Sequence, residues 1–562
     1  AATLIGLLKA TTYYNPRLHP QNSLARRNVV LGKLYEHNFL NKKQLDSIQA
    51  LPTVLQHTQD DSYSGKALYF REAIAASLKN WCKENDIDLY RDGLKIYTSI
   101  DSRMQEYAEG AVNKQMREVQ KKFDAHWGTQ APWRDRNGQE IPHFIEDLAV
   151  RTKAYSYLKK TYPDQPDSIT YYLNLPHPCK VFNYEEGQKE MMLSTMDSIR
   201  YMERFMHCGF VAIEPQTGEV KAWVGDINFQ SWKYDKVLSK RQPGSTFKLF
   251  VYTEAMNQGL SPCDLRTDEN IPWEVEEKGE KKWWMPHNAN GGATLDTMSL
   301  RIAFARSVNT IAANVAHEVG ISNIARTAHA MGIKTPLEET PALSLGASDV
   351  SLLELVSSYG TVANDGKAID PILVTRIEDR NGHVIFENRP EPKQAIPYAS
   401  AYLMQQMLTG GLQCSGGTSQ ALWRFNIFSQ GTEFGGKTGT SSNHSDAWFV
   451  GVSPKLVGGA WVGGEYRSIH FRTGELGQGS RTALPVFGYF MEKVLANPIL
   501  AKKYVAKFGQ PKEPLDRSWN CNDYRPNASD SDSLRILMTD SLQVEDEPDI
   551  DEILENLGTS EN

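Results

Sequence analysis

The sequence lacks any long apolar run, and no signal sequence opens it. None of its 562 residues lies in a stretch approaching the roughly 18 apolar residues of a membrane-spanning helix. We therefore expect either a soluble protein or a membrane anchor upstream of the given sequence. With 40% hydrophobic and 23% charged residues, the composition is typical of a globular protein, and the length allows several domains.

Cysteine is scarce, and the sequence contains no recognisable metal-binding motif. The 13 histidines form neither an HExxH motif nor a cluster with cysteine, so we predict no metal site and no cofactor. The six cysteines have no close pairs, which predicts neither a disulfide framework nor a zinc site. They are Cys82, Cys179, Cys208, Cys263, Cys414 and Cys521.

Charge is concentrated at the C-terminal end. The formal net charge is −7, yet the stretch from Asp540 to Asn562 alone carries nine carboxylates and no Lys or Arg. We expect this tail to be disordered and solvated. The rest of the chain is close to neutral, and we predict no nucleic-acid partner.

Helical and strand patterns alternate, which predicts an α+β fold. Residues 67–82 have helical spacing, and residues 209–226 form two apolar runs around a Gln-Thr-Gly turn, which predicts a hairpin. Three short strand patterns between 435 and 466 favour an antiparallel sheet. Residues 198–209 are predicted as a short helix. Residues 124–190 show no sustained period and are interpreted as an inserted or linking region of mixed structure.

The segment RQPGSTFKLF places Ser245 directly after Pro243-Gly244, with Lys248 one helical turn later. A neutral lysine at that spacing can take the hydroxyl proton and activate the serine as a nucleophile. Burial or a neighbouring cation must then lower the pKa of the lysine. Serine is also a favoured helix cap, and a second SxxK occurs at 156–159, so this motif alone leaves the structural reading open.

Two further motifs follow in order, SVN at 307–309 and KTGT at 437–440. SVN begins 62 residues after Ser245, and KTGT begins 130 residues after Ser307. In SVN, the hydroxyl of Ser307 can relay a proton and the amide of Asn309 can bind a carbonyl or hold the lysine. Short copies such as RTG at 472–474 show that each motif also arises by chance. The backbone N–H groups of Thr440 and Ser245 are predicted to form an oxyanion hole.

Taken together, the three motifs and their flanks resemble the transpeptidase domain of class A penicillin-binding proteins. The flanks that carry the resemblance, within roughly residues 206–500, include RQPGSTFKLFVYTEAM, LRIAFARSVNTIAANVA and GGKTGTSSNHSDAWFVGVSP. The resemblance implies that Ser245 is the acylated nucleophile, Lys248 its base and Ser307 the proton relay. It implies a second set that binds substrate: Asn309, Lys437, Thr438, Gly439 and Thr440.

The N-terminal segment is similar to the end of the peptidoglycan glycosyltransferase domain of the same bifunctional enzymes. Arg26, Arg27 and Asn28 match its final RRNxVL motif, whereas no counterpart of its catalytic glutamates occurs. We therefore expect a truncated chain without glycosyl transfer. The predicted regions are a glycosyltransferase fragment, a linker and insertion, a transpeptidase domain and an acidic tail: 1–60, 61–205, 206–505 and 506–562.

The resemblance implies a serine-type D-Ala-D-Ala transpeptidase that cross-links peptidoglycan stem peptides and is acylated by β-lactams. Alternatives with a similar site are a D-Ala-D-Ala carboxypeptidase or β-lactamase, in which water is the second nucleophile, and a β-lactam sensor or peptidoglycan scaffold without turnover. The implied location is the outer, periplasmic side of the cytoplasmic membrane, with an anchor and a lipid-linked donor only in the full-length protein.

Overall fold

The chain forms two compact units, residues 1–65 and the remainder from Lys66 onward. The computed structural model describes residues 1–55, 65–277, 280–289 and 291–521. The acidic stretch after Asp540 lies outside the described residues, so the prediction of disorder there stays a prediction.

The regular structure of the first unit, over its described residues, is helical. It contains α1 (Ala2–Leu7), α2 (Pro20–Glu36) and α3 (Lys42–Ala50). Pro20 opens α2, where its missing N–H costs nothing. A capping box between Asn41 and Gln44 begins α3.

Residues 66–205 combine helices with short strands. They form α4 (Leu68–Glu84), β1 (Lys95–Thr98), α5 (Ser102–Trp127), α6 (Phe144–Ala149), α7 (Lys153–Thr161), α8 (Pro166–Leu173), β2 (His177–Asn183), β3 (Gly187–Leu193) and α9 (Thr195–Met202). The stretch without sequence periodicity thus folds as short helices followed by the β2–β3 hairpin.

Residues 206–363 begin the sheet and carry most of the helices around it. They form β4 (Met206–Ile213), β5 (Val220–Val224), β6 (Lys240–Arg241), α10 (Lys248–Asn257), β7 (Leu265–Thr267), β8 (Trp273–Glu277), β9 (Glu280–Trp284), β10 (Thr297–Ser299), α11 (Leu300–Arg306), α12 (Asn309–Val319), α13 (Ile321–Met331), β11 (Val350–Ser351) and α14 (Leu352–Ala363).

The remaining described residues complete the sheet. They form β12 (Lys367–Ala368), β13 (Val374–Glu378), β14 (Val384–Glu387), β15 (Lys393–Gln394), α15 (Tyr398–Gln413), β16 (Gly435–Thr440), β17 (Asp446–Val452), β18 (Val457–Gly464), α16 (Gly474–Gly477), α17 (Leu484–Ala496) and α18 (Pro498–Tyr504). Short 3-10 turns span Gly244–Phe247, Pro341–Leu345 and Gln420–Arg424.

The central sheet has five antiparallel strands in the order β16-β17-β18-β4-β5, which confirms the α+β prediction and the hairpin at 209–226. Alternate residues of β4 enter two different cores. Phe210 and Ala212 pack with α5 and α17 on one face. Val211 and Ile213 pack with α14 on the other. The sheet is therefore buried on both faces.

The helix predicted over residues 198–209 is wrong in its second half. The helix ends at Met202, and β4 begins at Met206. Every residue from Met206 to Ile213 is buried. A fully buried strand shows no polar alternation, so its pattern cannot be distinguished from a short helix.

A disulfide joins Cys263 to Cys521 across 258 residues of sequence, contrary to the expectation from cysteine spacing. Residues 506–521 therefore belong to the folded body and not to a tail. Arg517 strengthens the attachment, because its guanidinium donates to Met256 O at 2.8 Å and to Leu260 O at 3.2 Å. Sequence spacing cannot reveal a pair that only the tertiary fold brings together.

No helix within the described ranges combines the length and apolar character that crossing a bilayer requires.

The disulfide can be tested by counting thiols. We expect four reactive thiols per chain after denaturation without reductant and six after reduction, because only Cys263 and Cys521 are paired. Replacing Cys521 with Ser is expected to lower the free energy of unfolding by about 2–4 kcal/mol. Six thiols without reductant would contradict the pairing.

Candidate active site

Ser245 lies in a 3-10 turn, Gly244–Phe247, that leads directly into α10. Gly244 has φ of 52°, and a Cβ atom there would lie 2.7 Å from Thr440 O. Glycine is required because the turn must enter the left-handed region while touching β16. This contact brings the predicted nucleophile against the strand that carries KTGT.

Lys248 occupies the first turn of α10 and is completely buried. Its ammonium Nζ donates to Asn309 Oδ1 at 2.6 Å and to Ser307 O at 2.7 Å, and it lies 3.3 Å from Ser307 Oγ. The lysine thus hydrogen-bonds to the SVN segment and not to the Ser245 hydroxyl, which is half-buried one turn earlier.

The SVN segment is a sharp corner between α11 and α12. Ser307 ends α11 with φ of 61° and ψ of 37°, a left-handed conformation that costs a non-glycine residue on the order of 1–3 kcal/mol. Asn309 begins α12 immediately afterwards. The corner turns the carbonyl and hydroxyl of Ser307 and the amide of Asn309 toward Lys248.

Lys437 approaches the same hydroxyl from the opposite side. It lies on β16 with 1% of its surface exposed, and its Nζ donates to Ser307 Oγ at 2.9 Å and to Thr438 O at 3.0 Å. Ser307 Oγ is therefore in contact with two lysine ammonium nitrogens. The structure brings together the predicted residues of all three motifs.

The strand β16 turns its successive side chains to opposite faces of the sheet. Gly439 lies on the Lys437 side, where a Cβ atom would stand 2.4 Å from Pro243 O, so only glycine admits the nucleophile turn. Thr438 and Thr440 point to the other side, and Thr440 Oγ1 accepts a hydrogen bond from Gly479 N at 3.1 Å.

The predicted oxyanion donors also lie next to each other. The strand β16 is at the edge of the sheet, and Ser441 N donates to Asp446 O at 2.9 Å. Because hydrogen-bonded pairs alternate along an antiparallel ladder, the N–H of the preceding residue, Thr440, points away from β17. This is the side on which the Gly244–Ser245 turn packs.

The two lysines have strongly lowered pKa values. Burial lowers the pKa of Lys248 well below its usual 10.5, and the charge of Lys437 lowers it further. Burial alone lowers the pKa of Lys437 to about 7. An unfolded chain therefore binds more protons than the folded chain between pH 7 and 10.5, so the stability contribution of Lys437 rises with pH across that window.

Sequence reasoning missed the polar residues that hold the SVN corner. Asn288 Oδ1 accepts from Asn309 N at 2.8 Å, and Asn288 Nδ2 donates to Asp268 Oδ1 at 2.9 Å. Asp268 is 2% exposed and also accepts from Thr310 Oγ1 and from Thr294 N. No motif or spacing marks these residues, because they come from loops between short strands.

A second buried polar cluster lies outside this site. His207, Asp226 and Glu465 bring ligand-type atoms within 4.8 Å of one another. Lys236 Nζ lies 2.5 Å from Glu465 Oε2 and 3.8 Å from Asp226 Oδ2, so an ammonium already balances the carboxylates. This arrangement is that of a buried ion-pair network and not of an open cation site.

In the N-terminal unit, the residues that match the RRN motif make contacts between neighbouring segments. Arg27 is 7% exposed, and its guanidinium donates to Leu51 O at 2.8 Å and to Gln49 O at 3.1 Å. Asn28 O accepts from Gln49 Nε2 at 3.2 Å, and Arg26 packs over the ring of Tyr14. These contacts join α2 to the end of α3.

Two family models match the second unit. Residues 208–464 match the penicillin-binding protein transpeptidase domain, and residues 128–206 match the penicillin-binding protein middle domain. The chain belongs to the penicillin-binding protein family. Most of residues 124–190, interpreted from the sequence as an insertion, thus match a domain that recurs in the family.

Curated relatives of this penicillin-binding protein include penicillin-binding protein 1A of Aquifex aeolicus, which is 29% identical over 500 residues. The match covers 88% of this chain and 65% of that relative. The chain therefore spans somewhat less than two thirds of the length of this relative.

Solved structures show the same fold. Penicillin-binding protein 1A of Haemophilus influenzae aligns with a TM-score of 0.66 at 22% identity, over 91% of this chain and 81% of that one. The PonA1 protein of Mycobacterium tuberculosis, whose structure contains penicillin V, aligns with a TM-score of 0.53 at 20% identity, over 81% of this chain and 99% of that one.

The mutual repulsion of the two lysines predicts a pH shift. If neutral Lys248 is the base, the rate of β-lactam acylation rises with pH as Lys248 loses its proton. Replacing Lys437 with Met removes a nearby positive charge and is expected to move the midpoint of that rise upward. The control Lys455→Met, in the exposed turn between β17 and β18, should keep the wild-type midpoint. An unchanged midpoint in the Lys437 variant would contradict the coupling.

The loop network predicts a role for Asp268 in positioning. Replacing Asp268 with Ala leaves the Asn288 amide and Thr310 without their acceptor. We expect acylation by a β-lactam to slow roughly tenfold, because Asn309 loses its fixed orientation. Stopped-flow acylation and thermal unfolding, measured together, would separate this effect from global destabilisation. A wild-type rate would show that the network does not orient the site.

Proposed function

We propose that this chain is a serine-type D-Ala-D-Ala transpeptidase that cross-links peptidoglycan stem peptides. The observation that carries the proposal is the contact of Ser307 Oγ with both buried lysines, beside the turn that presents Ser245. A single hydroxyl between two lysines of lowered pKa provides a route for protons during acyl transfer.

In the proposed first step, Ser245 Oγ attacks the carbonyl carbon of the penultimate D-Ala of a stem peptide. Lys248 takes the hydroxyl proton, and the N–H groups of Ser245 and Thr440 stabilise the tetrahedral oxyanion. Lys437, Thr438 and Thr440 bind the terminal carboxylate. The C–N bond then breaks, and D-Ala leaves with a proton relayed through Ser307.

In the second step, the amine of a neighbouring stem attacks the acyl ester on Ser245. The new C–N bond forms as the C–Oγ bond breaks, and the proton released by the amine returns to Ser245 Oγ. Asn309 orients the acyl chain in both steps through its side-chain amide. A β-lactam follows the first step and leaves its opened ring on Ser245.

The whole protein is proposed to act on the outer side of the cytoplasmic membrane. The Cys263–Cys521 disulfide supports an oxidising compartment of this kind. The resemblance of the N-terminal unit to a glycosyltransferase supports a bifunctional full-length protein that uses a lipid-linked donor and has a membrane anchor.

A fluorescent penicillin tests the nucleophile. We expect covalent labelling of the wild-type chain and a loss of at least about a hundredfold in Ser245→Ala, because the substitution removes the proposed nucleophile. Ser156→Ala, which removes the serine of the second SxxK, is the matched control and should label normally. Labelling that survives the Ser245 substitution would overturn the assignment.

A second assay separates transpeptidation from the carboxypeptidase alternative. Stem peptides ending in D-Ala-D-Ala are incubated with the chain and an amine acceptor, and products are resolved by mass spectrometry. Cross-linked product together with released D-Ala is expected. Release of D-Ala without any cross-link would favour a carboxypeptidase, and labelling without turnover would favour a sensor or scaffold.

A further inference from the structure

A cavity of about 1040 Å³ lies beside the proposed active site. One part of its wall is Gln242, three residues before Ser245, and another is Ser442 and Asn443, which follow β16. The opposite wall comes from residues 127–141, mostly in the middle domain, and from the loop of residues 467–472. The cavity thus lies between residues that flank the nucleophile turn and β16 in sequence and residues of the middle domain.

The wall of this cavity carries an excess of positive charge. Four arginines line it, against a single carboxylate, that of Asp135: Arg134, Arg136, Arg467 and Arg472. Asp135 accepts the N–H groups of Asn137 and Gln139 within its own turn. Arg467 pairs with Asp349 at 2.5 Å. Within the described ranges, the other three guanidinium groups have no carboxylate partner.

Two of these guanidinium groups are held in place by one aromatic ring. Arg472 lies 4.0 Å and Arg134 5.5 Å from the ring centre of Trp127. Trp127 is 3% exposed, and its Nε1 donates to His470 O at 3.1 Å. Guanidinium groups that are already ordered on a fixed ring lose little entropy when they bind an anion. The arrangement suits a carboxylate.

We infer that this arginine-lined cavity binds the acceptor stem peptide through its free carboxylate groups. The inference rests on the proposed transpeptidase function, which needs a second substrate whose amine reaches the acyl ester on Ser245. Lys437 and the threonines of KTGT serve the carboxylate of the donor, which departs with D-Ala. The acceptor enters afterwards, and the cavity offers its carboxylate groups a second site, lined by Gln242 near Ser245 in sequence and by none of the KTGT residues.

The arginines favour cross-linking over hydrolysis by raising the local concentration of the acceptor amine. When the carboxylate is bound, the amine nitrogen attacks the ester carbon, the C–Oγ bond breaks and the proton of the amine passes to Ser245 Oγ. Water needs no such anchor. The arginines therefore act on the second step alone and leave acylation unchanged.

The test compares two acceptors on the same acyl-enzyme, a stem peptide with a free C-terminal carboxylate and the same peptide as its C-terminal amide. For the wild-type chain we expect the ratio of cross-linked to hydrolysed product to be roughly tenfold higher with the free acid, as charge-assisted hydrogen bonds predict. Raising the ionic strength should reduce this preference.

The variants are Arg136→Glu and the double variant Arg136→Gln with Arg472→Gln. Arg136 is exposed, so its substitution leaves the core intact. We expect both variants to lose the preference for the free acid. The matched control Arg380→Glu changes an exposed arginine in the β13–β14 turn, outside the cavity, and should keep the preference.

Penicillin labelling of Ser245 distinguishes failure of the acceptor site from failure of the proposed function. Normal labelling in the variants, with the acid preference retained, would overturn the acceptor site while leaving the proposed function standing. A wild-type chain that is not labelled at all would overturn the proposed function and the acceptor site with it. Normal labelling with loss of preference only in the cavity variants is the supporting result.

Discussion

Two lysine ammonium groups held at one serine hydroxyl are the constraint on which the site depends. Burying a single lysine is costly unless its charge is matched or lost, and here two of them face Ser307 Oγ at 3.3 and 2.9 Å. Part of the cost is offset by the carbonyls of Ser307 and Thr438 and by Asn309. The rest appears as lowered pKa values, which is the property that a base at neutral pH requires.

The surrounding fold keeps these groups from relaxing apart. Lys248 is fixed by a helix buried on all sides, and Lys437 by a strand of the five-stranded sheet. The Ser307 hydroxyl between them belongs to a left-handed corner. The Asp268–Asn288 network stabilises this corner by hydrogen bonding to the N–H of Asn309. Together these elements hold the two lysine ammonium groups at Ser307. Among the described residues, no carboxylate pairs with either lysine.

The sequence predicted the candidate catalytic residues better than it predicted the residues that position them. Ser245, Lys248, Ser307 and Lys437 stand in three motifs that are recognisable in the sequence. The contacts of Ser307 with the two lysines join segments 59 and 130 residues apart, so they were expected only from the joint resemblance of the motifs to a known family. The Cys263–Cys521 bond, the Asp268 network and the arginine-lined cavity join segments far apart in sequence. Their formation depends on how the helices pack on the sheet, which periodicity does not encode. Only the beginning of β4, Met206 to Cys208, was assigned to a helix, since burial on both faces removes the polar alternation that marks a strand.

The outward N–H of Thr440 has a consequence for the evolution of the site. A main-chain donor remains whatever side chain the residue carries, and only proline deletes it. If this N–H stabilises the oxyanion as proposed, any substitution at residue 440 other than proline leaves the donor in place. Weakening the donor without proline then requires the backbone of β16 or of its neighbouring turn to move.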